Sequence, residues 1–181
     1  MQSNINSAAQ YGSADERDFV ISRVFDAPRD LVFSAWTEPN RLAQWFGPKG
    51  CTIRVAKMEM RPGGVLHSCM KTPDGREMWG KWVIREVVPP RRLVFVNSFS
   101  NEEGGMTRHP LSPTWPLQML TTVTFVEQDG KTEITLRWIP INSTDVENKT
   151  FDAGRDSMNM GWGGTFDQLD AYLAQTKGDR Q

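Results

Sequence analysis

The sequence predicts an α+β fold in which an antiparallel sheet of about six to seven strands curves around one long C-terminal helix. Stretches with a period of two follow one another from Cys51 to Ile139, separated by turns rich in Gly, Pro and Asp. Short turns between consecutive strands favour antiparallel pairing, because parallel pairs need long crossover connections. An apolar stripe at helical spacing then runs from about Arg155 to Gln175.

A strand and two short helices are predicted ahead of this region. Phe19 to Phe25 is typical of a strand, and Asp26-Ala27-Pro28 ends it. Pro28 suits the first turn of a helix, where its missing N–H would have no partner anyway. The pattern predicts one helix over Arg29 to Thr37 and a second over Pro39 to Trp45, which the following Gly and Pro residues terminate.

The remaining strands are bounded by clear turn signals. Pro73-Asp74-Gly75 and Gln128-Asp129-Gly130-Lys131 are the strongest of these. The irregular stretch Ser100 to Pro113 is expected to be a mobile loop at the mouth of the fold. The predicted strands are Cys51–Met60, Val65–Met70, Glu77–Val88, Leu93–Phe99, Met119–Glu127 and Thr132–Ile139.

The C-terminal helix combines an apolar stripe with glycines. The stripe consists of Met158, Trp162, Phe166, Leu169 and Leu173. Gly161, Gly163 and Gly164 weaken the N-terminal half of the helix by about 1 kcal/mol each relative to alanine. Either this half frays, or the glycines permit close approach to a strand or a ligand.

Composition limits the classes of function. Lys and Arg total 21 against 22 Asp and Glu, so the chain lacks the basic excess that binds nucleic acid. No stretch has the length of apolar residues that spans a membrane. Two cysteines are too few for a disulfide framework and favour a cytoplasmic location. We expect a flexible leader over residues 1–16, one domain over residues 17–176 and a flexible tail over residues 177–181.

The mixture of large and polar residues on the predicted inner face of the sheet indicates a ligand pocket. A close-packed core avoids unpaired polar groups, whereas a pocket combines apolar walls with a few convergent polar groups. The alternatives are a plain core, and polar groups that bond the backbone or a buried water. The residues predicted to bind the ligand are Trp36, Trp45, Leu66, Ser68, Met70, Met78, Trp82, Ile84, Phe95, Asn97, Met119, Thr121, Trp138, Met158, Trp162 and Phe166.

Catalytic and metal motifs are sparse. Alternation places Glu86 on the inner face beside Trp82 and Ile84, which makes it the candidate general acid or base, with a solvent-facing strand-end carboxylate as the alternative. No Gly-x-Ser-x-Gly nucleophile motif occurs. The two histidines and two cysteines do not match a zinc spacing, so neither a metal nor a cofactor is predicted.

Several short strings, in order, resemble the START-like (SRPBCC) helix-grip superfamily. The resemblance is specific to the branch similar to the activator of heat-shock protein 90 ATPase, and it runs from about Arg17 to Ala174. The strings are Phe25-Asp26-Ala27-Pro28, Leu42-x-x-Trp45-Phe46-Gly47-Pro48, Met60-Arg61-Pro62-Gly63-Gly64, Glu86-Val87-Val88-Pro89-Pro90-x-Arg92-Leu93-Val94-Phe95, Thr122-Val123-Thr124-Phe125 and Gly161-Trp162-x-x-x-Phe166-x-x-Leu169.

The resemblance implies a helix-grip fold with a cavity between the sheet and the C-terminal helix. It leaves three functions open: a binding protein for a small apolar or aromatic molecule, a partner-binding domain acting on a chaperone ATPase, and a cyclase- or hydrolase-like enzyme using Glu86 or Asn97. An apolar outer patch around Trp79 and Val83 also hints at a homodimer.

Overall fold

The computed structural model describes residues 16–179 and confirms the α+β helix-grip architecture. The predicted leader over residues 1–16 therefore lies almost entirely outside the described residues. The strands are β1 Phe19–Phe25, β2 Thr52–Met58, β3 Val65–Lys71, β4 Glu77–Val88, β5 Arg92–Ser100, β6 Met106–Thr107, β7 Gln118–Gln128 and β8 Lys131–Ile141. The helices are α1 Arg29–Thr37, α2 Pro39–Leu42, α3 Asp145–Ala153 and α4 Arg155–Gly178.

All strands belong to one antiparallel sheet. Its order is β1-β8-β7-β5-β4-β3-β2, and the short β6 pairs with β5. The period-two alternation therefore splits the sheet into two faces. The inner face packs against α1 and α4, and the hydrophobic core lies between the sheet and these two helices.

The junction between α1 and α2 depends on a proline. Residue 39 would normally donate its N–H to the Ala35 carbonyl, but Pro39 has no N–H to give. The indole Nε1 of Trp45 donates to this carbonyl instead, at 3.0 Å. Trp45 is thereby fixed beside Trp36, with ring centroids 5.0 Å apart.

The helix α3 is missing from the sequence prediction. Thr144 accepts a hydrogen bond from the Glu147 N–H, and the Glu147 carboxylate accepts one from the Thr144 N–H, which forms a capping box. The Thr-x-x-Glu signal is present in the sequence.

Helix α4 carries the predicted stripe into the core. Its buried residues include all five members of that stripe. The helix continues to Gly178, and Lys177 Nζ donates to the Asp26 carbonyl oxygen at 2.7 Å. This bond ties the last turn of α4 to the segment that follows β1. No helix within residues 16–179 is long and apolar enough to cross a membrane.

A β-bulge overturns the predicted inward position of Glu86. The register of β4 against β5 shifts between Ile84 and Glu86, so Ile84 pairs with Phe95 but Glu86 pairs with Val94. Side chains alternate with a period of two, so the residues of β4 beyond the bulge point to the opposite face from the one that unbroken alternation predicts. Glu86 lies on the outer face, where Arg92 Nε donates to its carboxylate at 3.1 Å.

Candidate ligand site on the inner face of the sheet

The predicted inward residues of β3, β4, β5, β7 and β8 share one face of the sheet. One transverse row pairs Leu66, Trp82, Asn97 and Met119 in succession, and the next row pairs Ile84, Phe95, Thr121 and Trp138. Ser68 pairs with Gly80, and Met70 with Met78. The structure thus brings together the predicted site residues of the sheet, apart from Glu86.

Aromatic rings fill the space between this face and the helices α1 and α4. We call this set the aromatic cluster: Trp36, Trp45, Phe46, Trp82, Phe95, Trp138, Trp162 and Phe166. The Trp82 and Phe95 rings stack with centroids 3.9 Å apart. Trp36 stacks on Trp162 at 6.2 Å with an interplanar angle of 15°. These contacts link β4, β5, α1 and α4 in one apolar body.

The inner face is closed over part of its length and open over the rest. Ile84 and Phe95 are 0% and 2% exposed, so this end is core. Toward the other end of the same strands the side chains become half-buried. We call this part the open end of the inner face: Met70, Met78, Gly80, Asn97 and Phe99.

Gly80 leaves space at the open end. A Cβ atom placed on it would find one heavy atom within 4 Å, the Ser98 carbonyl oxygen at 3.8 Å. Two shallow depressions of about 310 and 330 Å³ lie away from this region. Their linings are Pro28, Asp30, Leu31, Ser34 and Arg41 for the first, and Val24, Val126, Gln128, Asp129, Lys131 and Glu133 for the second.

The loop between β5 and β7 borders the open end. The His109 ring lies 4.7 Å from the Phe99 ring, and Trp115 in turn contacts Phe151 of α3 at 5.8 Å. Burial lowers the pKa of His109, which favours the neutral imidazole. The sequence prediction placed His109 in a mobile loop and omitted it and Trp115 from the site. Only their aromatic character signalled a packing role.

Two of the polar residues on the inner face bond to each other. Thr121 Oγ1 donates to Asn97 Oδ1 at 2.6 Å. This bond removes the cost of burying the Thr121 hydroxyl, which is 0% exposed. Ser68 is also buried on this face. The open end therefore offers apolar walls with a small number of polar groups.

The other sequence candidates for chemistry lie elsewhere. Glu86 pairs with Arg92 on the outer face. Cys69 also faces outward, opposite Trp79, and burial raises the pKa of its thiol. No group of three or more potential metal ligands occurs within residues 16–179. Trp79 stacks on His67 at 4.7 Å, and the Arg54 guanidinium lies 4.9 Å from its ring centroid.

Comparison with known families identifies the family of the chain. The family model described as Activator of Hsp90 ATPase homolog 1-like protein matches residues 26–174. The chain belongs to this family. The matched range covers both sides of the candidate site, from the end of β1 into α4. None of the curated proteins compared matches the chain.

Solved structures share the helix-grip fold. A crystal structure of a Mycobacterium smegmatis protein is 26% identical, with a TM-score of 0.70 over 86% of this chain and 90% of that one. A Nitrosomonas europaea protein is 25% identical, with a TM-score of 0.69 over 91% and 99%. A solution structure from Arthrobacter aurescens is 23% identical, with a TM-score of 0.73 over 91% and 92%.

Proposed function

We propose that this protein is a cytoplasmic binding protein that holds a small apolar or aromatic molecule between the inner face of the sheet and α4. The observation that carries this proposal is the change in side-chain burial along the inner face of β4 and β5. Phe95 is buried, whereas Asn97, Phe99 and Gly80 are half-buried on the same face. A half-covered face with aromatic walls and few polar groups is a typical environment for a small ligand.

Entry of the ligand requires movement, because the aromatic cluster is closed at its centre. The N-terminal half of α4 has a weak intrinsic preference for a helix, since it contains Gly161, Gly163 and Gly164. A Cβ on any of these glycines would meet no atom within 4 Å beyond the local helix backbone. Displacement of this half-helix would expose Trp162 and admit an aromatic ring.

Filling the space at Gly80 tests the location of the site. We expect the wild-type protein to bind acetophenone in a titration followed by NMR, and Gly80→Leu to weaken binding by at least about tenfold. The matched control is Val83→Leu, on the outer face of the same strand, which should leave affinity unchanged. Equal affinities for wild type and Gly80→Leu would contradict the proposed site.

The family supplies a second candidate function. Its description names an activator of the Hsp90 ATPase, which favours binding to a chaperone partner. Purified protein should then stimulate the ATPase rate of a chaperone of this class, and a rate independent of added protein would exclude the role.

Self-association through the outer face around Trp79 and Val83 stays a prediction. Sedimentation velocity at increasing protein concentration tests it.

A further inference from the structure

Two indole N–H groups of the aromatic cluster have no hydrogen-bond partner among residues 16–179. They are Nε1 of Trp36 and Nε1 of Trp138, and both atoms are buried. Trp36 as a whole is 0% exposed. Buried donors are normally paired, because losing water without a replacement costs free energy.

The contrast with Trp45 shows that an indole N–H in the cluster can find a hydrogen-bond acceptor. Trp45 is 2% exposed, and its Nε1 donates to the Ala35 carbonyl at 3.0 Å. Trp36 is the neighbour of Trp45 in the same cluster, yet its donor has no such partner. Burial in the cluster therefore does not by itself prevent an indole from finding an acceptor.

Both unpaired indoles contact the same ring on α4. Trp36 stacks on Trp162, and Trp138 meets it edge-on with centroids 5.5 Å apart. Trp162 lies in the glycine-weakened half of α4. A molecule that enters beside Trp162 thus meets the two rings that carry these unpaired donors.

The charges around the cluster favour a neutral molecule. Arg23 contacts the cluster, and its guanidinium carbon lies 5.6 Å from the centroid of Phe166. Arg23 is already paired, because its NH1 donates to Asp167 at 2.6 Å. An anionic ligand beside Phe166 would therefore find Arg23 already paired, and burying an anion without its own cation is unfavourable.

We infer that the ligand is a neutral aromatic molecule with a hydrogen-bond acceptor, such as a ketone oxygen, that binds the indole N–H of Trp36, Trp138 or both. This inference rests on the proposed ligand-binding function and adds the chemical class of the ligand. An indole offers only a donor, so an acceptor on the ligand is required and a second donor is not.

A matched pair of probes tests the inference. Acetophenone and isopropylbenzene have the same number of heavy atoms and similar shapes, but only the ketone has an acceptor. We expect the wild-type protein to bind acetophenone more tightly than isopropylbenzene. In Trp36→Phe or Trp138→Phe, this preference for the ketone, measured as the ratio of the two dissociation constants, should fall by about three- to tenfold. Trp79→Phe is the control and should leave the ratio unchanged, since Trp79 lies on the outer face of the sheet, opposite Cys69.

The wild-type protein gives a second readout that does not depend on variants folding. With acetophenone, the indole proton resonance of Trp36 or Trp138 should move to higher frequency, and isopropylbenzene should not reproduce the shift. Benzoate should bind more weakly than acetophenone. Tighter binding of benzoate, or an unchanged probe ratio together with unmoved indole resonances, would overturn the inference and leave the binding function standing. Failure of every probe to bind the wild type would reject the proposed function itself.

Discussion

Trp45 shows how one residue replaces a backbone interaction that the sequence forbids. Pro39 cannot donate to the Ala35 carbonyl, and the Trp45 indole does so. Trp45→Phe would leave this buried carbonyl unpaired, whereas Trp36→Phe removes a donor that has no partner. We expect Trp45→Phe to lower the free energy of unfolding by about 1–3 kcal/mol more than Trp36→Phe, as measured by chemical denaturation. Equal losses would show that the Trp45 bond adds no stability.

Glu86 marks the limit of alternation as a guide to single residues. The pattern Met78, Gly80, Trp82 and Ile84 was predicted correctly to face inward, because unbroken strands keep a period of two. The bulge after Ile84 adds one residue, and nothing in the local composition announces it. The one carboxylate predicted to enter the site was for this reason placed on the wrong face.

At the scale of elements, the glycines of α4 contribute to weakness rather than to close packing. A methyl group on Gly161, Gly163 or Gly164 would meet no neighbour within 4 Å outside the local helix backbone. We expect the triple alanine variant to raise the free energy of unfolding by about 2–3 kcal/mol, since each Gly-to-Ala change in a helix contributes up to about 1 kcal/mol. The ligand association rate should fall in the same variant.

A matched glycine substitution controls for the general effect of alanine. Gly63 has a φ of +80°, a backbone conformation that alanine disfavours. Gly63→Ala should therefore destabilise the protein in the same denaturation experiment. An unchanged or reduced stability of the triple variant would show that the α4 glycines are needed for packing.

Helix α3 is coupled to the β5–β7 loop through a carboxylate. The hydrogen bond from the Thr144 N–H, followed by that from Arg108, lowers the pKa of Glu147 below its ordinary value of 4.5. Such a group stabilises the folded state above that ordinary value, and the contribution is lost as pH falls through the lowered pKa. We expect Glu147→Gln to reduce the melting temperature at neutral pH and to flatten its decline below about pH 4.5.

The control for this pH dependence is Glu102→Gln, at an exposed position in the turn before β6. Its melting temperature should follow the wild-type curve across the whole pH range. Parallel curves for wild type and Glu147→Gln below pH 4.5 would show that the capping carboxylate does not contribute to acid unfolding.

For the molecule as a whole, periodicity predicts more of the fold than of the site. The strand alternation and the stripe from Met158 to Leu173 are repeated local signals, so the sheet and α4 follow from the sequence. The unpaired donors of Trp36 and Trp138 depend on distances between α1, β8 and α4, which no local pattern encodes. The same holds for His109, whose contact with Phe99 depends on how the loop returns to the sheet.

The most direct test of the central claim is a methyl NMR titration of the full chain with acetophenone, using the methionines as reporters. Met70, Met78 and Met119 lie on the inner face, whereas Met106 pairs with Ser100 and is 47% exposed. The proposed site predicts shifts of the inner-face methyl resonances and an unmoved resonance for Met106. A shift confined to Met106, or no shift at saturating probe, would contradict a ligand site between the sheet and α4.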